Sequence, residues 1–388
     1  MNTHPRKLIK ILMAGIAAYL PAAAAGQSIF KVVPTPNENF DSGLFAVSAS
    51  SPSDIWAVGQ SAIHFDGTKW TAFRVPMVNG DNTSELSGVA DFSPTNAWAV
   101  GYINISVGIP NQVIEQWNGT AWSLVPGPTF ASGDSATPRA LAAISPTDMW
   151  AVGSLLNDNG NQLNFLFEHY DGTSWTATTI VNDNAFLLGA SADATNDVWA
   201  VGYRGNEMET SKTLVYHYDG MSWSEVPSPN VGPGASQLNG VVALASNDVW
   251  AVGFSTSGAP PNTDPTLNLI EHYDGTSWSV VTSPNVGPNS GYQSNRLEGI
   301  TAVSSDDVWA FGSFFAANGS EQQLTLLLHW DGTSWTVAPS PNPSTGGFVS
   351  DLLFAGVAVA PNDVWLVGAE DEAPRDGTMA LHSTMAGN

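Results

Sequence analysis

An all-β chain made of repeated four-stranded antiparallel sheets is predicted by three observations. Trp-Ala-Val-Gly, or a one-residue variant, recurs seven times, with its tryptophan at Trp56, Trp98, Trp150, Trp199, Trp250, Trp309 and Trp365. A second tryptophan follows in six copies, at Trp70, Trp122, Trp175, Trp223, Trp278 and Trp335. Each stands four residues after the first residue of an Asp-Gly or Asn-Gly pair. The apolar segments between turn residues are short, β-branched and aromatic, as strands are. A period of 42 to 59 residues means an array of small sheet units.

The stretch 240–285 shows the unit. Gly-Val-Val-Ala-Leu-Ala gives a first strand, Ser-Asn-Asp a turn, and Val-Trp-Ala-Val-Gly a second strand. Leu-Ile-Glu-His-Tyr gives a third, and Thr-Ser-Trp-Ser-Val-Val follows Asp-Gly as a fourth. Asp-Gly between strands predicts a hairpin in which both turn positions take positive φ. Such meanders arranged radially make a β-propeller. The seventh copy ends on a third strand, Met379-Ala380-Leu381-His382. Its missing fourth strand is supplied by Phe30 to Asn37, which aligns with Trp278 to Asn285 and puts Phe30 in the tryptophan place. The expectation is a seven-bladed propeller over 27–388, closed because 27–37 supplies the outer strand of the last blade. Ala46, Gly88, Ala140, Gly189, Gly240, Gly299 and Ala355 share one first-strand position. Small residues there fit strands that converge on an axis.

Residues 1–26 read as a secretory signal peptide. Arg6, Lys7 and Lys10 precede the apolar run 11–20 and the small residues Ala22 to Ala25. Its removal leaves 8 Lys+Arg against 35 Asp+Glu, a formal charge of −27. That surface repels nucleic acid, whose phosphates need clustered cations. No later segment is apolar for long enough to span a bilayer. The chain has no cysteine, which excludes disulfides, thiolate nucleophiles and cysteine-held zinc. A secreted monomer, extracellular or periplasmic, is expected.

With these segments, the chain resembles secreted bacterial β-propeller proteins carrying Asp-Val-Trp-Ala-Val-Gly and Asp-Gly-Thr-Ser-Trp repeats, over about 28–388. It is distantly similar to the kelch and Asp-box families, without the kelch Gly-Gly pair. The resemblance implies the fold and no particular activity, because propellers host many unrelated functions.

Length variation falls on one face, in the second-to-third-strand loops and the interblade links. Functional residues favour variable loops on rigid scaffolds. Arg139, Arg204, Lys212, Arg296 and Arg375, five of the eight basic residues of 27–388, lie on or beside that face and are candidates to bind an anionic group. Tyr102, Tyr203 and Phe254 follow the Trp-Ala-Val-Gly segment and are candidate exposed aromatics. Glu207 and Glu209 are the candidate acid–base carboxylates. No cofactor is expected, and calcium is the ion that Asn157 to Asn161 faintly fits, without a closing Glu. The six repeat histidines (His64, His169, His217, His272, His329 and His382) and the turn aspartates read as scaffold. Glu115, Glu168 and Glu271 read as a solvated strand face. The leading expectation is a non-catalytic protein that binds a glycan or protein surface. The alternatives are a polysaccharide hydrolase or lyase, with Glu207, Glu209, Arg139 and Arg296 near the central mouth, and a structural or adhesive scaffold.

Overall fold

A computed structural model describes residues 28–36, 43–76, 84–104, 110–157, 162–181, 184–207, 210–258, 265–286, 295–316, 322–344, 349–372 and 375–385. The signal segment 1–26, Glu209 and 158–161 of the calcium candidate lie outside them. The described residues form 28 strands and no helix. Repeat five is typical: Ser236–Ala245, Asp248–Thr256, Thr266–Tyr273 and Trp278–Val280 pair antiparallel in that order. Repeats one to five each make a four-stranded sheet. Repeats six and seven share an eight-stranded sheet through one parallel bridge, Gln323 to Ser350. The last strand of that sheet is Ser28–Val32, antiparallel to Arg375–Met385. Phe30 opposes Ser383, one residue after His382, just as Trp278 opposes Tyr273 after His272. First strands pack on first strands in chain order, and Val349–Ala360 packs on Leu44–Ser51.

Aromatic wedges fill the gaps between sheets. The second tryptophan of each repeat rests on the first tryptophan of the repeat before it. Trp122 meets Trp56 at 4.9 Å between ring centroids, Trp223 meets Trp150 at 5.3 Å, and Trp70 meets Trp365 at 5.5 Å. Phe30 meets Trp309 edge-on at 5.3 Å, taking the same place. Each such pair adds about 0.5–1.5 kcal/mol beyond its buried area.

The histidines are part of this wedge. Each one hydrogen-bonds through Nε2 to its turn aspartate, from 2.6 Å for His64 and Asp54 to 2.9 Å for His329 and Asp307. Each lies against the first tryptophan of its own repeat, as His382 does on Trp365 at 4.1 Å and 11°. In repeat two both partners change together: the Gln116 amide donates to Asn96 at 3.3 Å.

Two local expectations are corrected. In the Asp-Gly turns only the glycine has positive φ, +87° at Gly67. The aspartate instead accepts backbone N–H groups, Asp66 Oδ1 taking those of Thr68 and Lys69 at 2.9 and 3.0 Å. The turn is therefore a four-residue loop held by a side-chain acceptor. Glu115, Glu168 and Glu271 are also not on a solvated face. All three are 0% exposed; neither carboxylate oxygen of Glu115 or Glu168 has a hydrogen-bond partner, and only the Ser228 hydroxyl approaches the carboxylate of Glu271. They oppose Ala99, Ala151 and Ala251 across the ladder, which turns them into the apolar contact with the preceding sheet. Burial pushes each carboxyl up to about 8. The position is Ile63, Leu328 and Leu381 in three other repeats, the pattern of a core place.

Candidate functional site

The glycine of Trp-Ala-Val-Gly sets the site's geometry. Every first strand carries a β-bulge at the same place, skipping one residue in register: Phe45, Ser87, Arg139, Leu188, Asn239, Glu298 and Phe354. A bulge leaves its extra residue unpaired and re-aims it. The motif glycine lies against the first-strand backbone beside that bulge. A Cβ on Gly253 would sit 2.0 Å from the Gln237 carbonyl oxygen, and one on Gly368 would sit 1.8 Å from that of Leu352. Only glycine lets the strands close around the extra residue. Beyond it comes the small-residue position, where a Cβ on Gly240 would lie 2.9 Å from the Gly299 Cα.

All seven bulge residues line one cavity of about 270 Å³, together with Glu85 and Arg296. Three of its sides are apolar: Phe45 and Phe354 are neighbours, 5.4 Å between centroids, and Leu188 is the third. The others are ionic. Arg139 donates to the Tyr102 hydroxyl at 3.2 Å, lies over that ring at 4.9 Å and stands 3.9 Å from Glu85. The Tyr102 hydroxyl in turn donates to Glu85 at 2.7 Å. Arg296 donates to Glu298 at 2.5 Å and to Glu207 at 3.2 Å, and lies over the Phe254 ring at 4.8 Å. Asn239 donates to the Leu297 carbonyl at 2.8 Å and to Glu298 at 3.1 Å.

The protonation balance follows from these contacts. Burial pushes the Glu298 carboxyl up, and Arg296 opposes the rise without cancelling it. Burial works against the Arg296 charge, and Glu298 and Glu207 more than offset it. Tyr203 is pushed up to about 12 by burial and the Glu207 charge, against the pull of Arg296 and Arg139. Its phenol therefore keeps its proton, although the Tyr203 side chain does not line the cavity.

No protein-family model matches this chain, and no curated protein matches it. Solved structures match over almost its whole length. The structure described as YCF48 bound to D1 peptide superposes with a TM-score of 0.55 at 13% identity, over 92% of this chain and 97% of that one. YCF48 from Cyanidioschyzon merolae gives 0.56 at 15% identity, over 91% and 98%. The WD40 β-propeller domain of Doa1 gives 0.55 at 10% identity, over 93% and 98%. The fold is a β-propeller. At such identities the likeness speaks for fold alone.

Within the propeller, the residues expected at a site separate. Arg139 and Arg296 meet at the cavity, and Glu207 reaches it through Arg296. Arg204 instead forms a two-pronged pair with Glu225, at 2.9 and 3.2 Å. Lys212 donates to the Gly234 carbonyl at 3.1 Å. Neither lines the cavity. The Arg375 backbone starts a strand, and its side chain lies outside the described residues. The expectation of exposed aromatics is corrected: Tyr102 and Tyr203 are 8% exposed and Phe254 is 0%. Tyr102 and Phe254 are platforms under Arg139 and Arg296, and Tyr203 stacks on Phe186, so none is an open stacking surface. Sequence reasoning missed Phe45, Glu85, Ser87, Leu188, Asn239, Glu298 and Phe354. For all but Glu85 the one signal is that the residue before the small-residue position differs between repeats that otherwise agree, which marks variation but not a bulge.

Proposed function

We propose that this is a secreted, non-catalytic, seven-bladed propeller, closed by Ser28–Val32, that takes part of a glycan or extracellular protein into the bulge-lined cavity. One observation carries the reading. At one backbone position, beside a position that is always Gly or Ala, six kinds of side chain occur in seven repeats and all line one cavity. A scaffold alone has no need for that variety. Glu207, from a second-to-third-strand loop, holds Arg296 and so ties the variable-loop face to the cavity. The same fold solved with a bound peptide supports its use as a binding scaffold. The cavity carboxylates Glu85, Glu298 and Glu207 each stand against a cation, which favours fixed recognition over acid–base work.

The test is a glycan array and a peptide array probed with residues 27–388, repeated with Leu188→Trp, which fills the cavity. A ligand retained by the parent and lost by the variant is the expected result. Binding that ignores Leu188→Trp would move the site elsewhere. Turnover of an array sugar would replace this reading by the hydrolase one. Silence on both arrays would leave the structural scaffold.

A further inference from the structure

We infer that the cavity takes one uncharged sugar ring, the terminal pyranose of a neutral glycan. This rests on the central cavity being the binding site and adds the class of its occupant.

Charge is the first argument. The cavity and its rim hold two guanidinium groups, Arg139 and Arg296, and three carboxylates, Glu85, Glu298 and Glu207. Arg296 is held by two of the three, and Arg139 stands 3.9 Å from the third. A uronate or sialate must therefore displace a carboxylate already in place, in a chain whose mature charge is −27. An inserted lysine or arginine finds the three carboxylates already held by Arg139 and Arg296 and must compete with those two fixed cations for them. Burying an unpaired charge costs far more than burying a hydroxyl that finds partners. A neutral ligand avoids both costs.

Shape is the second. In a ring of seven blades, the gap between repeats seven and one faces repeat four. Phe45 and Phe354 are thus on one side and Leu188 is opposite. Between these apolar sides lie two polar arcs. One carries Ser87, Glu85 and Arg139, the other Asn239, Glu298 and Arg296. The complement is a flat ring with C–H faces and a hydroxyl-bearing edge. Each arc offers donors and an acceptor, as an edge of neighbouring hydroxyls needs. The volume of about 270 Å³ lies under the roughly 300–1,000 Å³ of sites for drug-sized ligands, which limits the occupant to one such ring. A nucleoside also has a flat face, and adenosine is the probe that tests it; a nucleotide's phosphate must displace a carboxylate already in place, as a uronate must.

Preorganisation is the third. Arg139 is fixed over Tyr102 and Arg296 over Phe254, so little side-chain freedom is lost on binding. The Tyr203 hydroxyl makes no hydrogen bond among the described residues. Its ring is 8% exposed and stacks on Phe186 at 5.2 Å. Its titration feels the charges of Glu207, Arg296 and Arg139, and its phenol keeps its proton as a hydrogen-bond donor.

The experiment uses residues 27–388 with neutral oligosaccharides ending in glucose, galactose, mannose, xylose or N-acetylglucosamine. Trigalacturonate, sialyllactose and adenosine are run beside them, with binding read by saturation-transfer NMR and calorimetry. One neutral ligand is expected to bind through its terminal ring. Its affinity should hold between roughly 50 and 500 mM salt, because screening acts on charge pairs. Leu188→Trp, and separately Phe45→Ala with Phe354→Ala, should weaken it about tenfold or more. Asn239→Ala is the milder variant if those alter the circular dichroism. Tighter binding of an acidic sugar or adenosine that Leu188→Trp abolishes overturns the neutral-sugar class and leaves the site standing. Neutral-sugar binding indifferent to Leu188→Trp and Asn239→Ala overturns both. No neutral probe binding overturns this inference, and the array ligand of the preceding section then decides the site.

Discussion

The contact between neighbouring blades and the wall of the central cavity follow opposite rules, although the same seven repeats build both. Between blades, one solution is repeated: a first tryptophan, its histidine and aspartate, and the next repeat's second tryptophan. At the cavity, the backbone repeats and the side chain does not. The motif glycine joins the two regions. It ends the recurring segment and makes room for the bulge that aims the variable residue inward. Sequence that recurs between repeats here fixes where a side chain goes, and sequence that differs between repeats fixes what it is.

The strongest way to break the repeated region is to leave one wedge empty. Deleting 27–36 removes Ser28–Val32 from Arg375–Met385 and uncovers Trp309 and Leu381. Cooperative unfolding should be lost or the melting temperature should collapse. Phe30→Ala alone should cost about 3–5 kcal/mol. Denaturant titration checks both. An unchanged midpoint for the deletion would mean that the ring does not close through this strand.

The buried glutamates are the next largest effect, and they are where the repeated region departs from its own rule. Their folded values near 8 exceed the ordinary 4.5. The folded state therefore binds their protons more tightly. Their contribution is full below about pH 4.5 and is lost as pH rises toward 8. At about 1.4 kcal/mol per unit, each costs several kcal/mol once ionised. Stability should fall from pH 5 to pH 9. Replacing all three by Gln should flatten much of that slope, and Glu168→Leu should raise stability at pH 8, since repeats six and seven already carry Leu there. A slope identical in parent and triple variant would show that water or a donor reaches these carboxylates.

The two regions were not equally legible. Trp-Ala-Val-Gly, Asp-Gly and the strand borrowed by the seventh copy are local patterns whose spacing survives in one dimension, so strand order and Phe30's place could be read from sequence. The cavity could not be assembled that way, because each of its residues comes from a different repeat and nothing local marks a bulge. Arg139 and Arg296 stood out only as rare cations. Glu85 and Glu298, which decide the cavity's charge, looked like any of 35 acids. Tyr102, Tyr203 and Phe254 were placed on the correct strand ends, but their burial depends on tertiary neighbours, Arg139, Phe186 and Arg296, that come from other strands. Glu115 and its equivalents misled because a charged residue beside a histidine reads as surface, whereas strand alternation turns it inward opposite an alanine.

A smaller perturbation tests the joint between the regions. Gly253→Ala drives a methyl into the Gln237 carbonyl, and overpacking of this kind costs about 2–3 kcal/mol. It should also move Asn239, the bulge residue of that repeat, and so weaken ligand binding more than its stability loss accounts for. Thermal melts and titration with the array ligand measure the two effects separately. Equal binding by the variant would uncouple the motif from the cavity.

The smallest expected effect asks whether the six histidine–aspartate pairs do anything beyond packing. Repeat two answers in advance, since Gln116 and Asn96 hold the same place without an ionisable group. His272→Ala alone breaks the bond to Asp248 at 2.8 Å and leaves that carboxylate, which also accepts the Trp250 Nε1–H at 3.0 Å, short of a donor. About 1–2 kcal/mol should be lost. His272→Gln with Asp248→Asn restores a neutral donor and acceptor at the same spacing. The double variant should lie within about 1 kcal/mol of the parent, with each single change costing more than the two together. Ligand binding should be untouched in every arm, because repeat five faces the cavity through Asn239 and not through this pair. If the double variant costs the sum of the singles, the imidazole ring and its stacking on Trp250 matter more than the hydrogen bond, and repeat two must owe its stability to Trp117 and Trp122 around Trp56.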